Sequence, residues 1–385
     1  MKLTLVAGAR PNFMKIAPII RAIEKARNKR REIDYRLIHT GQHYDDSLSA
    51  SFFKDLNIPK PHSNLGSGSG SQAEQTAAIM VAFEKELIQH KADAVVVVGD
   101  VNSTLACSIV AKKLLTDVVH VEAGIRSGDR TMPEEINRRV TDSICDYFFT
   151  TTPEAGTNLV NAGAAPDRIF FVGNTMIDSL IGNLERFQKP ALFDRENITS
   201  KRYLVLTLHR PSNVDDPAVL EGILNTLSQC SGGLPVIFPV HPRTRKTLNG
   251  LKEKSHLIPV EPLPYLEFMY LIRDAAGVIT DSGGIQEETT YLKIPCITLR
   301  NTTERPETVA LGTNELVGND KTRIMNSVNK LLKGNWKTGR VPELWDGRAS
   351  ERIIEKLVEI YLIRPSAAFS GGEGRLGSGI RPLGL

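Results

Sequence analysis

Short β-branched runs alternate with longer helical patterns along the chain, and this alternation restricts the fold more than any other feature. The first half contains KLTLVAG (2–8), YRLIHT (35–40), DAVVVVG (93–99), VVHVE (118–122), YFFTT (147–151) and IFFVG (169–173). After residue 200 come YLVLTLH (203–209), PVIFPVH (235–241), HLIPV (256–260), GVIT (277–280) and CITL (296–299). Strands separated by helices predict parallel sheets joined by right-handed crossovers, the doubly wound α/β class. DAVVVVG is apolar throughout, as suits a strand covered on both faces. A chain of 385 residues exceeds one ordinary core, and the polar stretch 184–202 interrupts the alternation. We therefore expect two Rossmann-like domains, 1–184 and 202–345, facing a cleft. Ligands of such folds bind at the carboxyl ends of strands and between domains.

Composition narrows the partners. With 48 basic and 44 acidic side chains the net charge is +4, so no global field favours nucleic acid or a membrane surface. No run reaches the ~18 apolar residues of a membrane helix, and the N-terminal apolar run is too short for a signal-peptide core. Cys107, Cys145, Cys230 and Cys296 lie far apart, without disulfide-framework or metal-clip spacing, and fit a reducing compartment. A cytoplasmic location is expected. The stretch GSGSGSQAEQ (66–75) follows no strand and fails as a dinucleotide fingerprint; Ser71 and Glu74 instead have capping-box spacing. The tail 364–385, rich in Gly, Pro and Ser, lacks periodicity and is expected to be disordered.

The residues that follow each strand run are unevenly distributed. In the first half they are Arg10 and Lys15, then Asp100, then Glu122. Pro133, at a first helical position, sets Glu134 and Glu135 in the first turn that follows. In the second half they are His209 and Arg210, then His241 and Arg243, then the DSGG loop (281–284). Taken singly, Asp100 reads as a helix cap, Glu134 and Glu135 as complements to a helix dipole, and His209 as a structural histidine. Together they read as one cleft, with carboxylates from one half and cations and backbone donors from the other.

The run AGVITDSGGIQEETTYL (276–292) carries a conflict of charge. Gly283 and Gly284 leave backbone N–H groups free at a helix N-terminus, which favours an anion, yet Glu287 and Glu288 follow at once. Glu288 lies too far along to meet the same phosphate and suits hydrogen bonds from vicinal hydroxyls, as in dinucleotide folds. Phosphate at the glycines and ribose at Glu288 describe a nucleotide, with Arg305 of TTERPE (302–307) as a charge-assisted phosphate partner. No P-loop lysine motif and no zinc signature occurs, so no metal and no cofactor is expected. Carboxylates facing a nucleotide held by cations suit acid/base chemistry on a nucleotide sugar.

GARPNFMK, TGQHYD, VVGDVNSTLA, HVEAGIRS, MPEEINRR, LTLHRPSN, TDSGGIQEE and TTERPE follow one another within residues 1–360. As a set they resemble the non-hydrolysing UDP-N-acetylglucosamine 2-epimerases. The resemblance implies a GT-B fold, a homodimer, and a C-terminal helix (350–363) packed back on the N-terminal domain. It implies interconversion of UDP-N-acetylglucosamine and UDP-N-acetylmannosamine in supply of surface-polysaccharide precursors. The implied route eliminates UDP to a bound 2-acetamidoglucal, protonates carbon 2 and adds UDP back.

By motif match, Asp100, Glu122 and Glu134 are the family's essential carboxylates, with the direction of proton movement between them left open. Arg10, Lys15 and His209 match residues around the diphosphate and the departing oxygen. Ser282, Gly283 and Gly284 match phosphate contacts, Glu288 the ribose contact, Arg305 another UDP contact and Phe268 an aromatic near uracil. Gln42, Arg210 and His241 match residues of a second, activating site for the same sugar nucleotide, His241 being a candidate substrate contact as well. Before Gln72 the chain reads SGSGS where many bacterial members carry an arginine of that second site. The loop between HVEAG and PEE is shorter than theirs, and Leu263 stands where a polar base contact is common. The alternatives are the sister 2-epimerase acting on UDP-2,3-diacetamido-2,3-dideoxyglucuronate and a catalytically silent UDP-sugar sensor.

Overall fold

The computed structural model describes residues 1–41, 53–248 and 256–363. Gln42 and the tail 364–385 lie outside the described residues. Two sheets form. The first runs in the order β3-β2-β1-β4-β5-β6-β7. Its strands are β1 (Lys2–Ala7), β2 (Asp34–His39), β3 (Ser63–Asn64), β4 (Ala94–Val98), β5 (Asp117–Val121), β6 (Tyr147–Thr150) and β7 (Ile169–Phe171). The second runs β10-β9-β8-β11-β12-β13. It comprises β8 (Leu204–Thr207), β9 (Val236–Pro239), β10 (Leu257–Val260), β11 (Gly277–Thr280), β12 (Cys296–Thr298) and β13 (Asn314–Leu316).

Strands pair in parallel in both sheets, as crossover helices require. Each order reverses once, between β1 and β4 in the first sheet and between β8 and β11 in the second. At such a switch point neighbouring crossovers leave on opposite faces and open a crevice at the carboxyl ends. The residues just beyond those four strand ends belong to the motifs that carry Arg10, Asp100, His209 and Asp281. The register pairs Val98 with Val121, so β4 and β5 end level and deliver Asp100 and Glu122 side by side. All five residues of β4 are buried, the double coverage its apolar run predicts.

β3 and β13 have no counterpart among the runs read from the sequence. Both are outermost strands, of two and three residues, with sequences SN and NEL. Their neighbours specify them, because a short edge strand needs no apolar run of its own. The Ser71–Glu74 capping box does form, with bonds of 3.2 and 2.9 Å at the start of the helix Gln72–Gln89. The helix Ala349–Val358 crosses back to pack on the helix Arg10–Asn28. Its N-cap, Arg348, supplies no side-chain bond. Asp178 supplies it instead, accepting from Ala349 N at 3.1 Å and Ser350 N at 2.7 Å, which satisfies donors a helix start leaves open. Cys107, Cys145, Cys230 and Cys296 are free. Among the described residues no helix is long and apolar enough to cross a membrane.

Candidate active site

Beyond β5 the chain turns through Glu122 at φ 71 and Gly124 at φ 77. Left-handed backbone costs a non-glycine residue roughly 1–2 kcal/mol, and such strain collects at functional sites. Glu122 N and Ala123 N both donate to Phe149 O, at 2.9 and 3.1 Å, which holds the turn. The Glu122 side chain is buried between two cations. One carboxylate oxygen lies 2.5 Å from Lys15 Nζ; the other accepts from Arg305 Nη2. Lys15 stands on the helix that follows β1, whereas Arg305 comes from the second half, beyond β12. Burial alone would raise the Glu122 carboxyl, but Arg305 and Lys15 outweigh it and hold the group well below the usual carboxylate range. Gly99 makes room for this pair, since a Cβ there would come within 2.8 Å of Lys15 Nζ.

Arg305 is itself shared. Its Nε lies 2.6 Å from Glu287 Oε1, and Glu287 accepts from Asn174 Nδ2 at 2.8 Å. Arg305 Nε and Nη1 are both buried with no hydrogen-bond partner among the described residues, so Nε meets Glu287 as an ion pair and Nη1 keeps its N–H groups for a ligand oxygen. Burial pushes the Glu287 carboxyl up to about 7, since a shared Arg305 only partly offsets it and the Glu122 charge adds to it. Glu304, next to Arg305 in sequence, is held by Arg300 through bonds of 3.2 and 2.5 Å. Its Oε1 would lie 2.5 Å from a Cβ at Gly283. Glycine is therefore required there by a carboxylate neighbour as well as by access for an anion.

Asp100 does not cap the helix Asn102–Lys113. Val101 is the N-cap, and no side-chain bond caps that helix. The Asp100 carboxylate meets Arg138 Nη2 at 2.5 Å, and its carbonyl accepts from Asn137 at 2.9 Å. Asn137 also donates to Asn102, which donates in turn to Gln72 and Gln75. The pair Glu134–Glu135 splits in role. Glu135 is fully buried and occupied by Ser127 N at 2.9 Å, Arg138 at 3.1 Å and Arg139 at 2.9 Å. Glu134, half-buried in the same first turn, acts across the cleft on Arg210. Burial and Arg300 lower the Arg210 guanidinium, and Glu304, Glu134 and Asp281 oppose them.

His209 is oriented by Asp281. Its Nδ1 lies 2.8 Å from Asp281 Oδ1. The same buried carboxylate accepts from His209 N at 3.1 Å, Arg210 N at 3.0 Å and Asn213 Nδ2 at 3.1 Å. An acceptor-only carboxylate assigns the proton to Nδ1 and turns Nε2 outward. The side chain of His209 is 46% exposed, so that nitrogen is reachable; the His241 ring lies 6.5 Å away. Ser282 is the N-cap of the helix Gly283–Leu292 and makes no side-chain capping bond. The first-turn N–H groups at Gly283 and Gly284 are thus available to an anion. Glu288 is buried 3.5 Å from the Tyr265 hydroxyl. Phe268 follows Tyr265 by three residues on the helix Tyr265–Arg273, and so shares its face. Arg10 opens the helix Arg10–Asn28 at the first switch point.

A further set of buried groups, not among the expected site residues, holds this site together. His120 is fully buried, with Nε2 2.9 Å from Gly99 O and Nδ1 2.7 Å from Asp142 Oδ1. Asp142 Oδ2 accepts from Gly124 N at 3.2 Å and Arg126 Nη1 at 2.6 Å. One imidazole thereby ties the loop before Asp100 to the loop after Glu122. A histidine inside the β-branched run VVHVE was a readable signal for it. Asp142, Asn174 and the pairing of Glu287 had none, because their partners come from other elements.

Residues 25–358 match the family profile described as UDP-N-acetylglucosamine 2-epimerase. The chain belongs to that family. A UDP-N-acetylglucosamine 2-epimerase of Methanocaldococcus jannaschii is 44% identical over 372 residues, covering 93% of this chain and 99% of that protein. A crystal structure of a UDP-GlcNAc 2-epimerase from the same organism, in complex with UDP-GlcNAc and UDP, matches with TM-score 0.84 at 43% identity. It covers 94% of this chain and 100% of that one. A UDP-2,3-diacetamido-2,3-dideoxy-D-glucuronate 2-epimerase of Pseudomonas aeruginosa is 36% identical over 364 residues, covering 94% and 100%. The two parallel sheets are thus the GT-B arrangement of an epimerase-family isomerase.

Proposed function

We propose that the chain interconverts UDP-N-acetylglucosamine and UDP-N-acetylmannosamine by eliminating UDP and adding it back. The observation that carries this reading is Glu122, a buried carboxylate in left-handed backbone whose two oxygens are held by Lys15 and Arg305. The hydrogen on carbon 2 is too weakly acidic for simple abstraction. It becomes acidic as the bond from carbon 1 to UDP breaks and positive charge develops beside it. Lys15, Arg305 and the N-terminus of the Gly283 helix would stabilise the departing diphosphate, and His209 Nε2 would meet the departing oxygen. A diphosphate that draws Lys15 and Arg305 toward itself also makes Glu122 a stronger base, so base strength and nucleotide binding rise together. Inversion needs a proton on the opposite face, and Asp100 and Glu134, from the same half as Glu122, supply second acid/base groups.

Incubation with UDP-N-acetylglucosamine, followed by NMR, should give a mixture of gluco and manno epimers with UDP still attached. An unchanged sugar, or only free UDP and hydrolysed sugar, would overturn the reading. Turnover confined to the diacetamido uronate would assign the chain to the sister reaction.

A homodimer is part of the same proposal. Val81 and Ile88 on the helix Gln72–Gln89 are each 58% exposed, and Ile136 on the helix Pro133–Ile144 is 51% exposed. Both helices pack on Asn102–Lys113, and together they carry more exposed large apolar side chains than a solvated helix pair needs. Val81→Glu combined with Ile136→Glu should yield monomers in sedimentation, and a monomeric wild type would contradict the proposal. The free cysteines suit the reducing cytoplasm proposed as its location.

A further inference from the structure

Glu287 takes no part in the chemistry proposed above, yet it is 1% exposed at the centre of the site. It touches both halves of the molecule. Its Oε1 meets Arg305 Nε at 2.6 Å and accepts from Asn174 Nδ2 at 2.8 Å. Asn174 Oδ1 simultaneously accepts from Met176 N at 2.8 Å, capping the helix Thr175–Ile181. One amide therefore fixes Glu287, and Glu287 fixes the Arg305 guanidinium against Glu122.

Resting on the UDP-sugar reading, we infer that Glu287 is a positioning residue of the nucleotide site, holding Arg305 in the free enzyme and taking up a proton when the diphosphate enters. Charge accounting motivates the second part. Lys15 and Arg305 balance Glu122 and Glu287 when all four are ionised. A diphosphate diester adds two negative charges to a site whose members are almost entirely buried, where uncompensated charge is costly. The carboxylate with the weakest claim on cations is the one to be neutralised. Glu122 has two cations, whereas Glu287 has only a share of Arg305.

The groups acting on Glu287 are Arg305 and Glu307 from TTERPE and the helix that follows it, Glu122 from the loop after β5, and Lys15 from the first helix. Burial and these acids already place its carboxyl near 7. The arriving phosphates repel its charge and compete for Arg305, both of which raise its proton affinity further. The proton comes from solvent, and no bond is made or broken beyond it. Affinity for the sugar nucleotide is therefore greatest at low pH and falls as pH rises through the free-enzyme value. Over that window the fall approaches tenfold per pH unit, the limit for one linked proton.

The test is calorimetric titration of UDP-N-acetylglucosamine, whose diphosphate diester does not titrate near neutrality, into the enzyme at pH 8. Each protein is measured in two buffers of different ionisation enthalpy. The wild type should take up roughly half a proton or more per site. Glu287→Gln, which keeps an oxygen for Asn174 and has the charge of the protonated acid, should lose that uptake and bind at least as tightly at pH 8. Glu307→Gln should retain the uptake, although burial also brings Glu307 to about 7. No uptake by the wild type, or equal uptake in wild type and Glu287→Gln, would overturn the inference, and the first comparison needs no variant to fold. Absence of any binding heat or thermal shift with the sugar nucleotide would instead overturn the reading on which it rests.

Discussion

Glu122→Gln should lower kcat by roughly 10³-fold, the loss expected when a positioned acid/base group also takes part in electrostatic preorganisation. The amide has the shape of the carboxylate but can neither accept the carbon 2 proton nor balance Lys15 and Arg305. Breaking a buried pair by removing one partner costs about 3–5 kcal/mol. Here Glu287 still faces Arg305 at 2.6 Å, and without the Glu122 charge beside it Glu287 ionises more readily. The stability loss should therefore sit near the lower end of that range, about 3 kcal/mol. Steady-state turnover followed by NMR, beside urea unfolding, separates the two effects. Turnover within tenfold of wild type would remove Glu122 from the chemistry.

Arg305→Met should abolish detectable turnover and destabilise the fold by about 3–5 kcal/mol at pH 8. Arg305 is the cation on which Glu122, Glu287, Glu304 and Glu307 all act. Without it the Glu287 and Glu307 carboxyls, already raised by burial, rise further, and a group raised in the folded state favours folding only while protonated. The deficit should thus be largest at high pH and shrink as pH falls from 8 to 6, since Glu287 and Glu307 lie near 7 even with Arg305 present. Urea unfolding at both pH values measures it. A deficit that does not change with pH would mean lost packing rather than lost charge.

The contrast between what the sequence shows and what it hides follows from the reach of each interaction. β4 and β11 are legible because AVVVV and GVIT must be buried on both faces, whereas Ser63–Asn64 and Asn314–Leu316 become strands only because a neighbouring strand pairs with them. That acids and cations of both halves converge is legible because parallel strands deliver their functional residues at one end. The expected division between the halves is not kept: Lys15 and Arg138 are cations of the first half, and Asp281, Glu287 and Glu304 are buried acids of the second. The position of Asp100 beyond its strand is legible but its contacts are not: the alternative reading as a helix cap fails, because Val101 is the N-cap, and the carboxylate meets Arg138. Glu287 looks like an obstacle to phosphate in the run DSGGIQEE. It is explained only when Asn174, 113 positions earlier, and Arg305 meet it in space. Asp281 likewise reads as part of a glycine loop until its carboxylate is seen to orient His209.

In the proposed reaction UDP leaves and returns while the proton on carbon 2 is exchanged with solvent. The direct measurement is incubation of UDP-N-acetylglucosamine with the enzyme in deuterium oxide, followed by NMR of both epimers. Deuterium should appear at carbon 2 of the manno product and, as equilibrium is approached, of the recovered gluco sugar as well. A manno product that retains its original hydrogen at carbon 2 would contradict it.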